Sequence, residues 1–292
     1  MVKICVIGSC AMDLVVTSTR RPNAGETVLG DKFSTVPGGK GANQAIAAAR
    51  LGADVTMIGC IGEDVYGKAI IDNLINNKVN VTYVESLSDI ASGTAHIILA
   101  EGDNSIIFVK GANDKVSADL VDKASETIKS VDMVLVQQEI PVETVAYVSD
   151  ICHRFKIPML LNPAPARSIS EAIIENATYL TPNEHECSIL FPQYTTTEAL
   201  QKYPNKLFIT EGSNGVRYFD DEQEVLVPTY KVNAIDTTGA GDTFNAALAV
   251  ALAEGNSIQV SLEFANRAAS LSVTKFGAQG GMPIRAEVEE NL

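Results

Sequence analysis

The sequence predicts a single α/β domain, residues 1–292, built on an open, mostly parallel sheet with helices on its faces and a small lid of β-strands. Three observations lead there. Strand-like apolar runs alternate with helical periods over most of the chain, the order that βαβ units produce. The segments near 12–38 and 93–112 are instead short, β-rich and broken by turn residues, so they do not fit that sheet and supply the lid. Several strands deliver a polar residue at their carboxyl end, where an open parallel sheet has its ligand crevice.

In chain order, "KICVIG" is an apolar run closed by Gly, the pattern of a strand buried on both faces. "LVVTST", "GETVLG" and "KFSTVPGG" are the first lid segments. "GANQAIAAARLG" has helical spacing, "DVTMIGCIG" reads as a strand and "YGKAIIDNLINNK" as a helix. "GTAHIILA" and "SIIFVK" flank "EGDN" as a hairpin. Alternation then sets in: helix "SADLVDKASETIKS", strand "DMVLVQ", helix "VETVAYVSDICHRF", strand "IPMLLN", helix "SEAIIENA", strand "YLT". "KLFIT" is a further strand, "VRYFD" and "EVLVP" a hairpin, and two long helical segments close the chain. The polar residues at strand ends are Glu139, Asn162, Asn183 and Thr210.

Asp plus Glu number 36 against 22 Lys plus Arg, a formal charge of −14. That excludes nucleic acid as the main partner, because a phosphate backbone wants a basic stripe. It also means that any bound anion must be held by local groups such as backbone N–H or a metal. The five cysteines (Cys5, Cys10, Cys60, Cys152, Cys187) have neither C-x-x-C nor zinc spacing and read as the reduced thiols of a cytoplasmic protein. "MVKICVIGSC" is too strand-like for a signal peptide, and no apolar run is long enough to span a bilayer, so no membrane partner is expected. His96, His153 and His185 form no triad.

The most informative stretch is "IDTTGAGDTF", 235–244. Ala240, Phe244, Ala247, Leu248 and Ala251 fall at helical spacing, so a helix starts within it, with Thr238 or Gly239 as the cap. The N–H groups of Gly239, Ala240 and Gly241 would then face outward at the positive end of the helix dipole, an anion site, with Asp242 beside it. A first-turn Asp can equally serve the dipole alone. Phosphoryl transfer suits the pair, since its loose transition state needs positioning and charge more than a strong base. Gly39-Lys40 precedes Gly41 and Gly67-Lys68 precedes Ala69, so no P-loop is present, and the protein-kinase H-R-D and D-F-G set is missing.

"DTTGAGDTF" and "PGGKGANQAIAAARLGA" resemble the two signatures of the PfkB carbohydrate kinase family, most closely its ribokinases. The resemblance runs nearly end to end: "GETV", "GGKGANQA", "QQEIP", "LNPAPAR", "TPNEHE", "TEGSNGV", "DTTGAGDTFN" and "GAQGGMP" occur in the family's order. It implies a ribokinase-like three-layer α/β/α sandwich whose β lid closes over the sugar and forms a homodimer contact. It implies transfer of the γ-phosphate of ATP to the primary hydroxyl of a pentose, D-ribose giving ribose 5-phosphate. Asp242 would be the base, with Gly239, Ala240 and Gly241 as anion hole. The sugar would meet Asp13, Gly39, Lys40, Asn43 and Glu139, besides Asp242 and position 11. The nucleotide would meet Asn183, Thr210, Gly212, Ser213, Gly215, Gly241 and Asn266. Glu186 would act on Mg²⁺ through water, the arrangement that ion favours. A K⁺ ion would lie by Asp236, Thr238, Ser272, Lys275, Gly277 and Gly281, mostly on backbone oxygens.

One position departs from the family. Where ribokinases usually carry "GSxN-x-D", this chain has "GSCAMD", with Ala11 in place of the asparagine. Alanine neither donates nor accepts, so a sugar hydroxyl there loses a partner worth roughly 0.5–1.5 kcal/mol. This keeps 2-deoxyribose open as the substrate, along with other PfkB sugars or nucleosides. A dinucleotide-binding oxidoreductase is the reading from another class, but "GSCAMD" lacks G-x-G-x-x-G.

Overall fold

The computed structural model describes residues 1–290; the last two positions of the expected domain lie outside the described residues. Six parallel strands form the central sheet in the order β10-β9-β8-β1-β4-β5. The chain enters by β1 (Lys3–Ile7) and leaves at once into β2 (Ala11–Thr17) and β3 (Lys32–Gly38). It returns through α1 (Lys40–Arg50), β4 (Asp54–Gly62), α2 (Val65–Asn76) and the edge strand β5 (Asn80–Leu87), which is absent from the predicted elements. β6 (Gly93–Ala100) and β7 (Asp103–Val109) follow, then α3 (Ala118–Lys123), α4 (Ser125–Lys129), β8 (Met133–Val136), α5 (Val142–Phe155), β9 (Met159–Leu161), α6 (Glu171–Asn176) and β10 (Tyr179–Leu180). α7 (Glu184–Leu190) and α8 (Thr196–Lys202) lead to the antiparallel extension β11 (Ile209–Thr210), β12 (Val216–Phe219) and β13 (Glu224–Val227), joined to the sheet by the Leu180–Leu207 and Asn183–Thr210 bridges. α9 (Ala240–Ala253) and α10 (Ile258–Ser272) are the two long closing helices, and the short α11 (Ala278–Gly281) and α12 (Arg285–Glu289) end the described chain. None of these helices is long and apolar enough to cross a membrane.

The continuous apolar run of β1 resolves into two faces. Ile4 and Val6 pack with α1, α2, α9 and α10, whereas Cys5 and Ile7 pack with α3 to α8. β8 repeats the division, Met133 and Leu135 on the first side and Val134 and Val136 on the second, in register with β1 (Ile4 opposite Met133, Ile7 opposite Val136). Strands buried on both sides need apolar residues at every position, so alternation is invisible in their sequence. The result is three layers, helix, sheet, helix, as the sequence predicts.

The outlying segments form a separate four-stranded sheet in the order β3-β2-β6-β7. Glu101 (φ 58°) and Gly102 (φ 76°) make its β6–β7 turn; two successive left-handed residues match a type I′ hairpin. "GETVLG" is not a strand, contrary to expectation. Glu26 N–H closes a turn onto Asn23 O, Gly25 takes φ 79°, and the Glu26 carboxylate pairs with Arg20, so this stretch is spent on a loop. The predicted helix 117–130 divides at Ala124, whose N–H reaches Val121 O rather than a carbonyl four residues back. Asn113 ties the root of this sheet: its amide accepts from Cys10 N–H and donates to Cys10 O, each at 2.8 Å.

Candidate functional site

Strand order reverses beside β1, which has β4 on one side and β8 on the other. An open parallel sheet has its crevice at that switch point, outside the carboxyl ends. The chain leaving β1 and the chain leaving β8 meet there: Ser9 Oγ donates to Glu139 Oε2, and Lys40 N–H at the start of α1 donates to the same oxygen at 3.0 Å. α1 has no side-chain cap; its N-cap is Gly39 at φ 87°. Gly39 and Gly41 are needed because a Cβ on either would fall 2.7 Å or less from the backbone of Ala11 or Ser9. α1 thus starts pressed against the β1–β2 turn.

α9 starts in the same crevice. Gly239, left-handed at φ 80°, is its N-cap, and no side chain caps it. Thr238 gives its N–H to Asp236 Oδ1 (3.0 Å) and does not cap the helix. No side chain competes with an anion for the first turn of α9, where the Ala240 N–H makes only a long bond to Thr237 O (3.3 Å). Asp242, 7% exposed, is gripped by both oxygens: Asn43 Nδ2 donates to Oδ2 at 2.9 Å and Gln44 Nε2 to Oδ1 at 3.0 Å. Asn43 is thus no helix cap; it binds the aspartate from across the crevice.

Four carboxylates surround one ammonium. Burial pulls the Lys40 amine down, but Asp242, Glu139, Glu186 and Asp13 together outweigh it and leave Lys40 above its ordinary value. No salt bridge among the described residues includes Lys40, so its charge faces the cleft without a fixed partner. Burial, then the charges of Glu139 and Asp242, push the Asp13 carboxyl up to about 7, with Lys40 opposing. Glu139 is raised by burial against Lys40 and its Ser9 and Lys40 hydrogen bonds. A raised folded-state value means Asp13 favours the fold below 3.8 and loses that contribution as pH rises through about 7. Removing the charge therefore helps at high pH, by on the order of 2–4 kcal/mol. Asp13→Asn should raise the unliganded Tm by several degrees at pH 8.5 and much less at pH 5, read by thermal unfolding at both pH values. An equal shift at both would contradict this environment for Asp13.

A cavity of about 550 Å³ opens on the other side of the α9 N-terminus. Thr210, Gly212, Ser213, Gly215, Gly241 and Asn266 all line it, so six of the seven expected nucleotide positions share one space. Asn266 lines it while donating to Val227 O (2.9 Å) and Pro228 O (3.2 Å), which pins β13 to α10. The seventh, Asn183, is outside the lining but bridges to Thr210. Asn183 and Glu186 form a capping box on α7: Asn183 Oδ1 accepts from Glu186 N–H (2.8 Å) and Glu186 Oε2 from Asn183 N–H (2.9 Å). The N-x-x-E spacing is accounted for by that box, with Glu186 Oε1 left over. Burial raises the Glu186 carboxyl, against its Asn183 bond and the charge of Lys40.

Asp236 closes the loop before α9. Its carboxylate accepts from Thr238 N–H and, at 2.8 Å, from Gly277 N–H. Burial pushes this carboxyl up, but the bonds from Thr238 and Gly277 outweigh it and hold it below the usual range. Gly281 lies on Ser272 O, where a Cβ would come within 2.0 Å. The Ser272 hydroxyl turns back to Ala269 O, and the Lys275 side chain leaves the loop to pair with Glu287 at 3.2 Å, so neither side-chain head points at this cluster. Ala11 shares a face of β2 with Asp13 but is completely covered. Four residues that the sequence reading did not place in the site belong to it: Ser9 on Glu139, Gln44 on Asp242, Gln137 donating to Gln44 and Gln279 donating to Asn43. An amide buried among alanines and glycines, as in "GANQA" and "GAQGG", is the signal that would have found the helical ones.

Comparison with known proteins fits this geometry. The profile of the pfkB family carbohydrate kinases matches residues 1–285. The chain is 65% identical over 292 residues to the ribokinase of Bacillus subtilis (strain 168), covering all of both chains. It superposes on the crystal structure of ribokinase from Thermotoga maritima with a TM-score of 0.90 at 35% identity, covering 99% of each chain. It superposes on Arabidopsis thaliana ribokinase, complexed with ribose and ATP, with a TM-score of 0.89 at 33% identity, covering 99% and 98%.

Proposed function

The chain belongs to the pfkB family of carbohydrate kinases, and from that premise we propose that it moves the γ-phosphate of ATP to the primary 5-hydroxyl of D-ribose, giving ribose 5-phosphate and ADP. The observation that carries this is Asp242, buried at the uncapped first turn of α9 between the cavity of about 550 Å³ and the cleft of Asp13, Lys40 and Glu139. Adenine and ribose of the nucleotide occupy that cavity, lined by Thr210, Gly212, Ser213, Gly215 and Asn266, with Asn183 at its edge. Asp13, Glu139 and Asn43 hold the sugar hydroxyls, and Gly39 admits the ring close to the backbone. The hydroxyl oxygen attacks the γ-phosphorus while a carboxylate oxygen of Asp242 takes its proton. The bond from that phosphorus to the β,γ-bridging oxygen breaks, and ADP leaves. Charge on the transferring group meets Lys40 and the N–H groups of Gly239, Ala240 and Gly241.

Two ions fit the residues present. Glu186, with one carboxylate oxygen outside its capping box, would hold Mg²⁺ through water, and that ion would neutralise phosphate charge. Asp236, kept ionised by its bonds, would hold K⁺ with backbone oxygens near Thr238, Ser272, Lys275, Gly277 and Gly281. The outlying sheet, from 12–38 and 93–112, acts as a lid over the sugar. Its exposed Phe33 (61%), Ile106 (51%) and Ile107 (70%) support a homodimer contact there. Five buried free thiols support a cytoplasmic location.

A second reading, 2-deoxyribose as the favoured sugar, is supported by Ala11, which offers no polar atom. A panel of sugars with ATP, Mg²⁺ and K⁺, read by coupled ADP release, tests both. Ribose is expected to give a kcat/KM about 2- to 10-fold above 2-deoxyribose, the worth of one retained hydrogen bond. The reverse ratio would support the second reading, and ADP release independent of any sugar would defeat both.

A further inference from the structure

Asp242 is held by chains of side-chain amides, not by single ones. On the Oδ2 side, Arg50 Nε donates to Asn77 Oδ1 (2.9 Å), and Asn77 Nδ2 to Asn73 Oδ1 (3.4 Å). Asn73 Nδ2 donates to Gln279 Oε1 (2.6 Å), Gln279 Nε2 to Asn43 Oδ1 (2.8 Å), and Asn43 Nδ2 to Asp242. On the Oδ1 side, Gln137 Nε2 donates to Gln44 Oε1 (2.6 Å) and Gln44 Nε2 to Asp242.

The direction of every link follows from the carboxylate. An ionised carboxylate only accepts, so the NH₂ of Asn43 and of Gln44 must face it. Their carbonyls then face outward and demand donors, and the same condition passes to Gln279 and Asn73, and to Gln137. The second chain ends without a partner: Gln137 Oε1 is buried and unpaired. Flipping Gln137 would not satisfy that oxygen, because it would set two carbonyls against each other at Gln44. The first chain ends on a guanidinium, which has only donors to give. Aligned amides of this kind polarise one another.

Gln279 is the link that joins separate parts of the molecule. It sits on α11, 5% exposed, two residues from Gly277, whose N–H is bound by Asp236. Its backbone is fixed too, since Arg50 Nη1 donates to Gln279 O (2.5 Å) and Met282 O (3.0 Å).

We propose that Gln279 is a positioning residue: it orients Asn43, and through it sets the plane of the Asp242 carboxylate, linking the Asp236–Gly277 loop to the reacting group. The kinetic part rests on Asp242 being the base of the proposed reaction; the structural part does not.

Gln279→Met keeps length and apolar bulk and removes both links. kcat is expected to fall about 10- to 100-fold, with KM for ATP within threefold of the parent and KM for sugar rising by no more than the fall in kcat, since Asn43 also meets the sugar. In an Asp242→Ala background the same substitution should change the residual rate less than twofold. A fall in KM-linked affinity alone, or an equal fall in the Asp242→Ala background, would overturn the proposal. Urea unfolding of the two single variants and the double variant supplies a readout independent of turnover. Midpoint shifts should be non-additive, and additive shifts would overturn the link even in a chain that phosphorylates no sugar. Should Gln279→Met not fold, Gln279→Glu keeps the acceptor toward Asn73 and lacks the donor toward Asn43, with the same expected outcomes.

Discussion

Asp242→Asn is expected to lower kcat with ribose by two to four orders of magnitude. The substitution keeps the shape of the side chain and removes its ability to take a proton. It also turns one acceptor into a donor. Asn43 and Gln44 both donate to this side chain, so one of them must reorient, and part of the loss is geometric. Asp242→Ala separates the two effects, since it leaves both amides without a partner and forces no donor against a donor. Initial rates for both variants, with the nucleotide Kd measured directly, make the comparison. Similar losses with Kd for ATP near the parent value identify proton transfer as the missing step. Turnover within tenfold of the parent in either variant would remove Asp242 from the chemistry.

Lys40→Met is the second large effect. The half-buried Lys40 faces Asp242, Glu139, Glu186 and Asp13 without a salt bridge of its own among the described residues. A protein of charge −14 offers an anionic nucleotide no attraction from its overall field. The positive charge at the reacting centre must therefore be local, and Lys40 is the cation the cleft provides. Methionine keeps the stem and removes the charge, so kcat/KM for ATP should fall about 10²- to 10³-fold, the usual worth of one preorganised group facing developing charge. The same variant removes the one opposing influence on Asp13, so Asp13 should titrate still higher. Steady-state rates against ATP and sugar test the first effect, and carboxyl NMR titration of Asp13 tests the second. A loss below fivefold would mean that backbone N–H groups and bound cations carry the charge alone.

The fold class and the glycine-rich helix start were legible in the sequence because their signals are local. A strand–helix alternation needs only neighbours in the chain, and "TTGAGD" shows its glycines, its helical spacing and its aspartate within a few residues. The proposed nucleotide positions came from resemblance, and six of them line one cavity. Other features needed the coordinates. "GETVLG" has β-forming residues, yet Glu26 and Gly25 close a turn instead. Asn183 and Glu186 look like a pair of ligands in sequence and are also a helix-capping box. Ser9 has no motif of its own, and its role follows from the chain leaving β1 beside the chain leaving β8.

Periodicity and turn chemistry by themselves determined that this chain makes a layered α/β fold with an outlying β-sheet and a glycine-capped helix start near residue 240. Which groups grip Asp242 was decided only by the tertiary structure. Asn43 lies 199 residues from Asp242 and Gln279 lies 236 from Asn43. Hydrogen bonds act over about 3 Å, so their partners exist only once strand order has brought the starts of α1, α9 and α11 to one crevice.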